Sequence, residues 1–284
     1  MAWRLPELDR RIVFALVGLS VTIPILWKFH FPEFPSPMVR GVFERVDSLP
    51  AGSKLLLTLD YDPGSEPELN PMTDAVTRHA ATKGIRIYYI TMWATGPPMI
   101  ERVIRQVLQK EFPDLAYGRD FVTLGYKPGN EAAIAIVASD LRKLFTTDGR
   151  GTNINAGEMT GSLRNLRSFD MVFSVSAGFP GTKEWIQYGT DTAGVPIAAG
   201  MTAVQAPLNY PYYPTQLLGI LGGIKAAAEY ELLLVKKYPR FADPAFPQEA
   251  TAKMGPQTWA HLTIIGLIVL GNLTTLLAGR RGRR

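Results

Sequence analysis

The sequence contains no cysteine, and this absence excludes several kinds of chemistry. None of the 284 residues can form a disulfide, act as a thiolate nucleophile, or bind zinc or an iron–sulfur cluster through sulfur. Histidine is scarce as well, with only His30, His79 and His261. A histidine-rich metal site is therefore not expected, and we expect neither a metal ion nor a cofactor.

The net charge of +5 is located at the two ends of the chain. Residues 28–257 contain 30 − 7 = 23 basic and 25 − 2 = 23 acidic residues, so they are neutral. A neutral central region offers no basic surface for nucleic acid. Basic residues concentrated at the two ends of the chain are typical of membrane proteins. Glu7 and Asp9 oppose seven terminal arginines: Arg4, Arg10, Arg11, Arg280, Arg281, Arg283 and Arg284.

Two long apolar stretches predict membrane spans. Residues 12–27 are uncharged and the apolar character continues to Phe31, while 259–278 contain no charge at all. Each stretch of about 20 residues is long enough to cross the roughly 30 Å hydrocarbon core as a helix. The sequence "KFHFPEFP" offers no small-residue cleavage site, so the first span is interpreted as an uncleaved signal anchor. The expected interfacial anchors are Trp27, Trp259, Arg280 and Arg281.

The arginine clusters at the outer ends of both spans predict the orientation. By the positive-inside rule, residues 1–11 and 279–284 face the cytoplasm. The sequence therefore predicts a two-pass protein of the cell (inner) membrane with the lipid bilayer as one partner. Between the spans we expect a linker (32–53, with a possible short helix around 38–48), an extracytoplasmic domain (54–238) and a second linker (239–258).

Strand-like and helix-like stretches alternate in the central domain. Strands apolar on both faces, separated by helices of 10–20 residues, predict a parallel sheet covered on both sides. We expect one doubly wound α/β domain with a mostly parallel, five-stranded, Rossmann-like sheet. The predicted strands are 54–60, 85–92, 120–125, 169–176 and 195–202, and the predicted helices are 67–83, 97–112, 129–146, 181–190 and 215–237.

The carboxyl ends of the predicted strands carry the candidate ligand-binding residues. Ligands of open parallel sheets bind at this edge, where the sequence places Asp60, Asp62, Thr91, Trp93 and Ser176. The stretches "LTLDYD" and "IYYIT" resemble the haloacid-dehalogenase-like pattern of an Asp nucleophile, an Asp acid two residues on, and a Ser or Thr after a later strand. That resemblance implies a magnesium-dependent phosphatase.

The chain departs from this pattern at two places. Gly64 stands where the family expects Thr or Val, and the fourth strand ends "FSVSAG", with no acid to bind magnesium. The alternative for the same segment is structural. The sequence Asp62-Pro63-Gly64-Ser65 is typical of a turn, and Glu66 and Glu68 are acidic residues at the start of a helix.

Three further features are interpreted from their composition. His79 is expected to be a solvated or partly buried residue on a helix. The loop 149–162 is Gly- and Asn-rich and longer than most loops, which favours a binding role. Two segments are candidate interaction surfaces, with packing on the protein's own sheet as the alternative: Tyr210, Tyr212 and Tyr213, and the small residues Gly219, Gly222, Gly223 and Ala226 on the last helix.

Together these features favour a non-catalytic two-span membrane protein. Its extracytoplasmic domain is expected to assemble with other membrane proteins or with itself, as a homo- or hetero-oligomer. The alternative function is small-ligand binding or hydrolysis at the carboxyl edge around Asp60 and Asp62.

Overall fold

The protein is described by a computed structural model covering residues 9–27 and 34–281. The chain divides into two compact units, one formed by Met1–Pro32 with Thr251–Arg284 and the other by Glu33–Ala250. The second unit contains the whole sheet. The first contains the helix α1 and most of the last helix.

The sheet has six parallel strands in the order β3-β2-β1-β4-β5-β6. This is the strand order of the Rossmann fold, so the predicted α/β class with a parallel sheet is confirmed. The four central strands are buried almost along their whole length, which explains their continuous apolar sequences. The strands are β1 (Lys54–Asp60), β2 (Arg86–Thr91), β3 (Phe121–Tyr126), β4 (Met171–Ser176), β5 (Ile197–Met201) and β6 (Leu217–Gly222).

The helices connect these strands in the alternation that the sequence predicts. Two of them continue as π-helical segments, α4 into Ile104–Gln109 and α6 into Trp185–Thr190. The helices are α1 (Arg10–Trp27), α2 (Pro37–Ser48), α3 (Glu66–Thr82), α4 (Gly96–Val103), α5 (Asn130–Asp140), α6 (Thr182–Glu184), α7 (Asp191–Ala193), α8 (Ala206–Asn209), α9 (Gly223–Lys237) and α10 (Glu249–Arg281).

The prediction of five strands was wrong, because the segment predicted as one helix over 215–237 contains both β6 and α9. Its first part pairs with β5, with Met201 opposite Gly222. The small residues that we placed on a helix are thus divided: Gly219 and Gly222 belong to the strand, while Gly223 and Ala226 belong to the helix. The apolar sequence "LLGILGG" fits either element by composition, and pairing with β5 selects the strand.

Helix α2 lies unusually close to the edge strand β6. A Cβ atom at Gly41 would lie 2.6 Å from the carbonyl oxygen of Leu218, and one at Gly219 would lie 2.6 Å from both Met38 O and Val42 N. Glycine at both positions therefore permits direct contact between the helix backbone and the strand backbone. The possible short helix in the 32–53 segment is α2, and it covers the sheet edge in this way.

Within the described residues, one helix has the length and apolar composition needed to cross a membrane. This helix is α1, in which the large apolar side chains and Trp27 are exposed and only Pro24 is buried. The second span (259–278) lies within α10 and stays a prediction, as do the two-pass topology and orientation. Residues 1–8, 28–33 and 282–284, which include parts of the predicted first span and of both termini, lie outside the described residues, as do the side chains of Arg280 and Arg281.

The contact between α2 and β6 predicts the effect of a minimal substitution. We expect Gly219→Ala to lower the free energy of unfolding by about 1–3 kcal/mol, because the new methyl group overlaps backbone atoms of α2. Gly64→Ala is the control, since the nearest atom to its new Cβ is Asp62 Oδ1 at 3.4 Å. Denaturant unfolding of the detergent-solubilised full chain measures both, and equal stability of the two variants would contradict the expectation.

Candidate functional site at the carboxyl edge of the sheet

The strand order reverses between β1 and β4, which makes their carboxyl ends the position where Rossmann-type folds bind ligands. Asp60 ends β1 and pairs with Ser176 at the end of β4. Thr91 ends β2, and Trp93 follows it in the same loop region. The structure therefore brings four of the five predicted ligand-binding residues to this crevice, and Asp62 lies in the loop that follows Asp60.

Asp60 is completely buried and is surrounded by donors from its own chain. The Met92 N–H lies 2.6 Å from Oδ1, the indole Nε1–H of Trp185 lies 2.9 Å from Oδ2, and the Thr91 hydroxyl lies 3.3 Å from Oδ1. Burial raises the pKa of Asp60 from 3.8 to about 6, and the hydrogen bonds from Met92 and Trp185 limit that rise. The carboxylate thus ties the end of β1 to the β2 loop and to the helix after β4.

Trp93 closes the mouth of the crevice from the side of β2. Its indole Nε1–H donates to the carbonyl oxygen of Pro180 at 2.8 Å. Its ring lies against Gly178, where an added Cβ would be 3.4 Å from the indole ring. Trp93 and Trp185 thus both lie at the carboxyl ends of β1, β2 and β4, Trp93 in contact with the loop after β4 and Trp185 with Asp60.

Hydroxyl groups form a second buried cluster next to Asp60. The Thr182 hydroxyl lies 3.1 Å from that of Ser174 and 3.0 Å from that of Ser176, and Ser176 Oγ also accepts the Thr182 N–H at 3.2 Å. All three side chains are buried. Ser176 therefore fixes the start of α6 in the structure.

The segment after β1 carries carboxylates where a Rossmann-type site would receive phosphate. Asp62 Oδ1 accepts from the backbone N–H and the hydroxyl of Ser65, which stabilises the turn. Glu66 and Glu68 lie in the first turn of α3, and Glu68 accepts the Ala203 N–H at 2.8 Å. Acids at a helix N-terminus complement the helix dipole but repel an anionic ligand, so this edge disfavours phosphate-bearing molecules.

The part of the same edge that follows β4 and β5 exposes several apolar side chains. Among residues 34–250, seven large apolar side chains are exposed, and five of them lie after β4 or β5; the other two are Phe34 and Leu232. We call these five the apolar edge: Phe179, Tyr188, Val204, Leu208 and Tyr210. The most exposed are Val204 (82%), Leu208 (66%) and Phe179 (59%).

The other predicted surface residues contact the protein's own fold. Tyr212 and Tyr213 are half-buried against the core, and the Tyr212 hydroxyl accepts from Gln187 Nε2 at 2.8 Å. Gly222 lies against Ala206, and Gly223 lies against Ala203. Ala226 is buried in α9. The exposed surface is formed instead by residues that the sequence did not single out, apart from Tyr210.

The expectation that His79 is solvated or partly buried was wrong. Its imidazole is fully buried in α3 and stacks on Phe43 at 4.5 Å between ring centroids. Nδ1 lies 2.8 Å from the Tyr230 hydroxyl and Nε2 lies 3.3 Å from Asp47 Oδ1. Burial lowers the pKa of His79 to about 4, despite the opposing effect of Asp47, so the ring is neutral at neutral pH. This cluster connects α2, α3 and α9.

The part of the chain that the structure describes contains no group of three or more His, Asp or Glu side chains arranged to hold a metal ion. No protein-family model matches the chain, and no curated protein is significantly similar to it. The functional conclusion therefore depends on the geometry of this edge.

The buried carboxylate predicts a pH dependence of stability. Between pH 4 and 6 the folded protein keeps a proton on Asp60 that the unfolded chain has lost, so this group's contribution to stability falls as the pH rises. We expect the stability of the wild type relative to Asp60→Asn to decrease by about 2 kcal/mol across this range, out of a full effect of about 3 kcal/mol, and to level off above pH 7.

Denaturant titrations of the full chain at a series of pH values measure that difference. The Asp60→Asn substitution also presents an amide donor to groups that donate to Asp60, and this adds a cost that does not vary with pH. The change of the stability difference with pH, rather than its constant part, therefore reports the buried carboxylate. A constant difference from pH 4 to 7 would contradict the assignment.

Proposed function

We propose that this chain is a non-catalytic, two-span membrane protein whose extracytoplasmic α/β domain assembles with other copies of itself through the apolar edge. The observation that carries the proposal is the concentration of exposed apolar side chains at Phe179, Val204 and Leu208. Large exposed apolar groups gathered on one part of a domain are typical of protein interaction sites.

Charge supports a second copy as the occupant. No charged residue lies between Asp191 and Lys225, the segment that provides Val204, Leu208 and Tyr210. A symmetric dimer places each surface against itself, so any net charge would face a like charge. The uncharged segment avoids this repulsion; the exposed Lys183 lies outside it, between Phe179 and Tyr188.

The position of the edge on the sheet is also consistent with assembly. β4 and β5 are adjacent, with Ser176 opposite Met201, so Phe179 and Val204 follow neighbouring strand ends. Gln187 in the π-helical segment donates to Tyr212, which joins the segment after β4 to the segment after β5. The apolar edge is therefore held by the rigid sheet, which limits the entropy lost on binding.

The membrane part of the proposal is supported by both terminal helices. Helix α1 is long and apolar enough to cross a membrane. In α10 the uncharged stretch 259–278 exposes many apolar side chains, which water would not favour: Leu262, Ile264, Ile265, Ile268, Val269, Leu270 and Leu273. The arginines outside both stretches support cytoplasmic termini.

The alternative function, ligand binding or hydrolysis around Asp60 and Asp62, has less support. Asp60 accepts its hydrogen bonds from Met92, Trp185 and Thr91 and has no exposed surface. Asp62 is engaged by Ser65. A substrate would have to displace the contacts of Asp60 before it reached that carboxylate, and at Asp62 it would compete with the turn for Oδ1.

Self-association through the apolar edge is tested by adding one charge. We expect Leu208→Asp to weaken the oligomer at least tenfold, because association would bury an unpaired carboxylate on each copy. Leu232→Asp, on α9, is the matched control and should leave the oligomer intact. Mass photometry of the chain in nanodiscs measures both. A wild type that is monomeric with nothing co-purified, or equal loss in both variants, would overturn the proposal.

The topology is tested with reporters in the loop at residue 150. Arg150 is exposed there, and Gly151 has open space around its Cβ position, so an insertion should be tolerated. We expect an alkaline phosphatase inserted at this point to be active and a fluorescent protein fused after Arg284 to be fluorescent. A cytoplasmic reporter at residue 150 contradicts the orientation.

A further inference from the structure

A cavity of about 350 Å³ lies beside the edge strand β3, far along the sheet from the apolar edge. It is enclosed by the turn at Tyr117–Arg119 and by the long loop that the sequence singled out for its glycine and asparagine content, here residues 148–160. Val122 and Met159, both buried, provide an apolar floor. Its volume is within the range of small-molecule sites.

The wall of this cavity is fixed in place by hydrogen bonds. Asp148 Oδ1 accepts from the backbone N–H groups of Arg150 (2.9 Å) and Thr152 (2.8 Å), and its Oδ2 accepts from the Tyr117 hydroxyl (3.1 Å). The Arg150 guanidinium lies 3.8 Å from the centre of the Tyr117 ring. These contacts stabilise the Asp148 carboxylate and preorganise the loop, which reduces the entropic cost of binding.

One buried polar side chain in the wall lacks a partner. Thr160 lines the cavity and is only 3% exposed, and its hydroxyl makes no hydrogen bond to any residue that the structure describes. A Cβ atom at Gly157 would lie 2.4 Å from that hydroxyl oxygen, so glycine at this position leaves the oxygen uncovered. The hydroxyl oxygen is therefore open to the cavity and can hydrogen-bond a ligand or a water molecule there.

The rim of the cavity carries one exposed charge of each sign. Arg119 pairs with the Asp120 carboxylate through Nε and Nη2 and donates through Nη2 to the carbonyl oxygen of Asp114, which leaves Nη1 for a ligand. Glu158 is exposed, and its nearest cation, Arg86, is 3.8 Å away. The cavity therefore combines an apolar floor, a free hydroxyl and opposite charges at the rim. This combination matches a small molecule with an apolar body, one positive group and one negative group.

We propose that this cavity binds a zwitterion of the amino-acid class with an apolar side chain. The ligand carboxylate pairs with Arg119 and its ammonium pairs with Glu158. The Thr160 hydroxyl hydrogen-bonds the ligand, whose side chain packs on Val122 and Met159. The site is at the opposite end of the sheet from the apolar edge, so it does not depend on the proposed self-association.

Isothermal titration of the full chain in detergent with L-leucine tests this proposal. Two probes of similar size separate the charges: N-acetyl-L-leucine lacks the ammonium group and L-leucinamide lacks the carboxylate. We expect saturable binding of L-leucine and at least tenfold weaker binding of both probes. Absence of saturable binding at millimolar L-leucine, L-methionine and L-phenylalanine, or equal affinity for all three leucine probes, overturns the proposal.

Substitutions in the wall locate the binding to this cavity. Arg119→Gln should weaken the binding of L-leucine at least tenfold and leave the binding of L-leucinamide unchanged. Glu158→Gln should likewise weaken the binding of L-leucine at least tenfold and leave the binding of N-acetyl-L-leucine unchanged. Thr160→Val keeps the shape and should also weaken binding. Arg105→Gln, an exposed arginine on the π-helical segment after α4, is the control. Binding that none of the three wall variants changes would place the ligand elsewhere and overturn the assignment.

Discussion

A buried carboxylate organises the centre of this domain. Asp60 is at the end of the first strand, where a Rossmann-type sheet normally opens to a ligand, yet it is fully buried and accepts from Met92, Trp185 and Thr91. An ionised carboxylate without these donors would be too costly in such a position. The contacts therefore hold the end of β1, the β2 loop and the helix after β4 together. They also convert the usual ligand crevice into part of the core.

This use of the crevice determines which surface remains for function. Trp93 lies against Gly178 and Trp185 donates to Asp60, so both tryptophans contact groups at the carboxyl ends of β1 and β4. The acids that begin α3 repel phosphate. What the carboxyl edge presents to its surroundings is the apolar edge after β4 and β5, and an apolar surface favours a protein partner over a small charged substrate.

The sequence predicted the elements whose pattern is local and missed those that depend on distant contacts. Five parallel strands and their helices could be recognised, because doubly covered strands read as continuous apolar runs. β6 was missed, since "LLGILGG" is a strand only through its pairing with β5 and its contact with α2 at Gly41. The burial of His79 depends on Phe43 and Tyr230, which are far away in sequence.

The candidate site shows the same division. The position of Asp60 at the carboxyl edge followed from strand order alone, whereas its burial depends on Trp185, which lies 125 residues later. No local pattern links an aspartate to a tryptophan over that distance. The one available signal for this burial was a tryptophan in the helix after β4, at the same edge of the sheet. That signal can be interpreted only once the order of the strands is known.

Strand order also separates the two proposed surfaces. The apolar edge follows β4 and β5, and the cavity flanks β3 at the other end of the sheet, with β2 and β1 between them. A ligand in the cavity and a second copy at the apolar edge therefore do not compete for space. Any coupling between them would have to pass through β2 and β1. The β2 loop, the end of β1 and the helix after β4 meet at Asp60, so its hydrogen bonds join elements from both halves of the sheet.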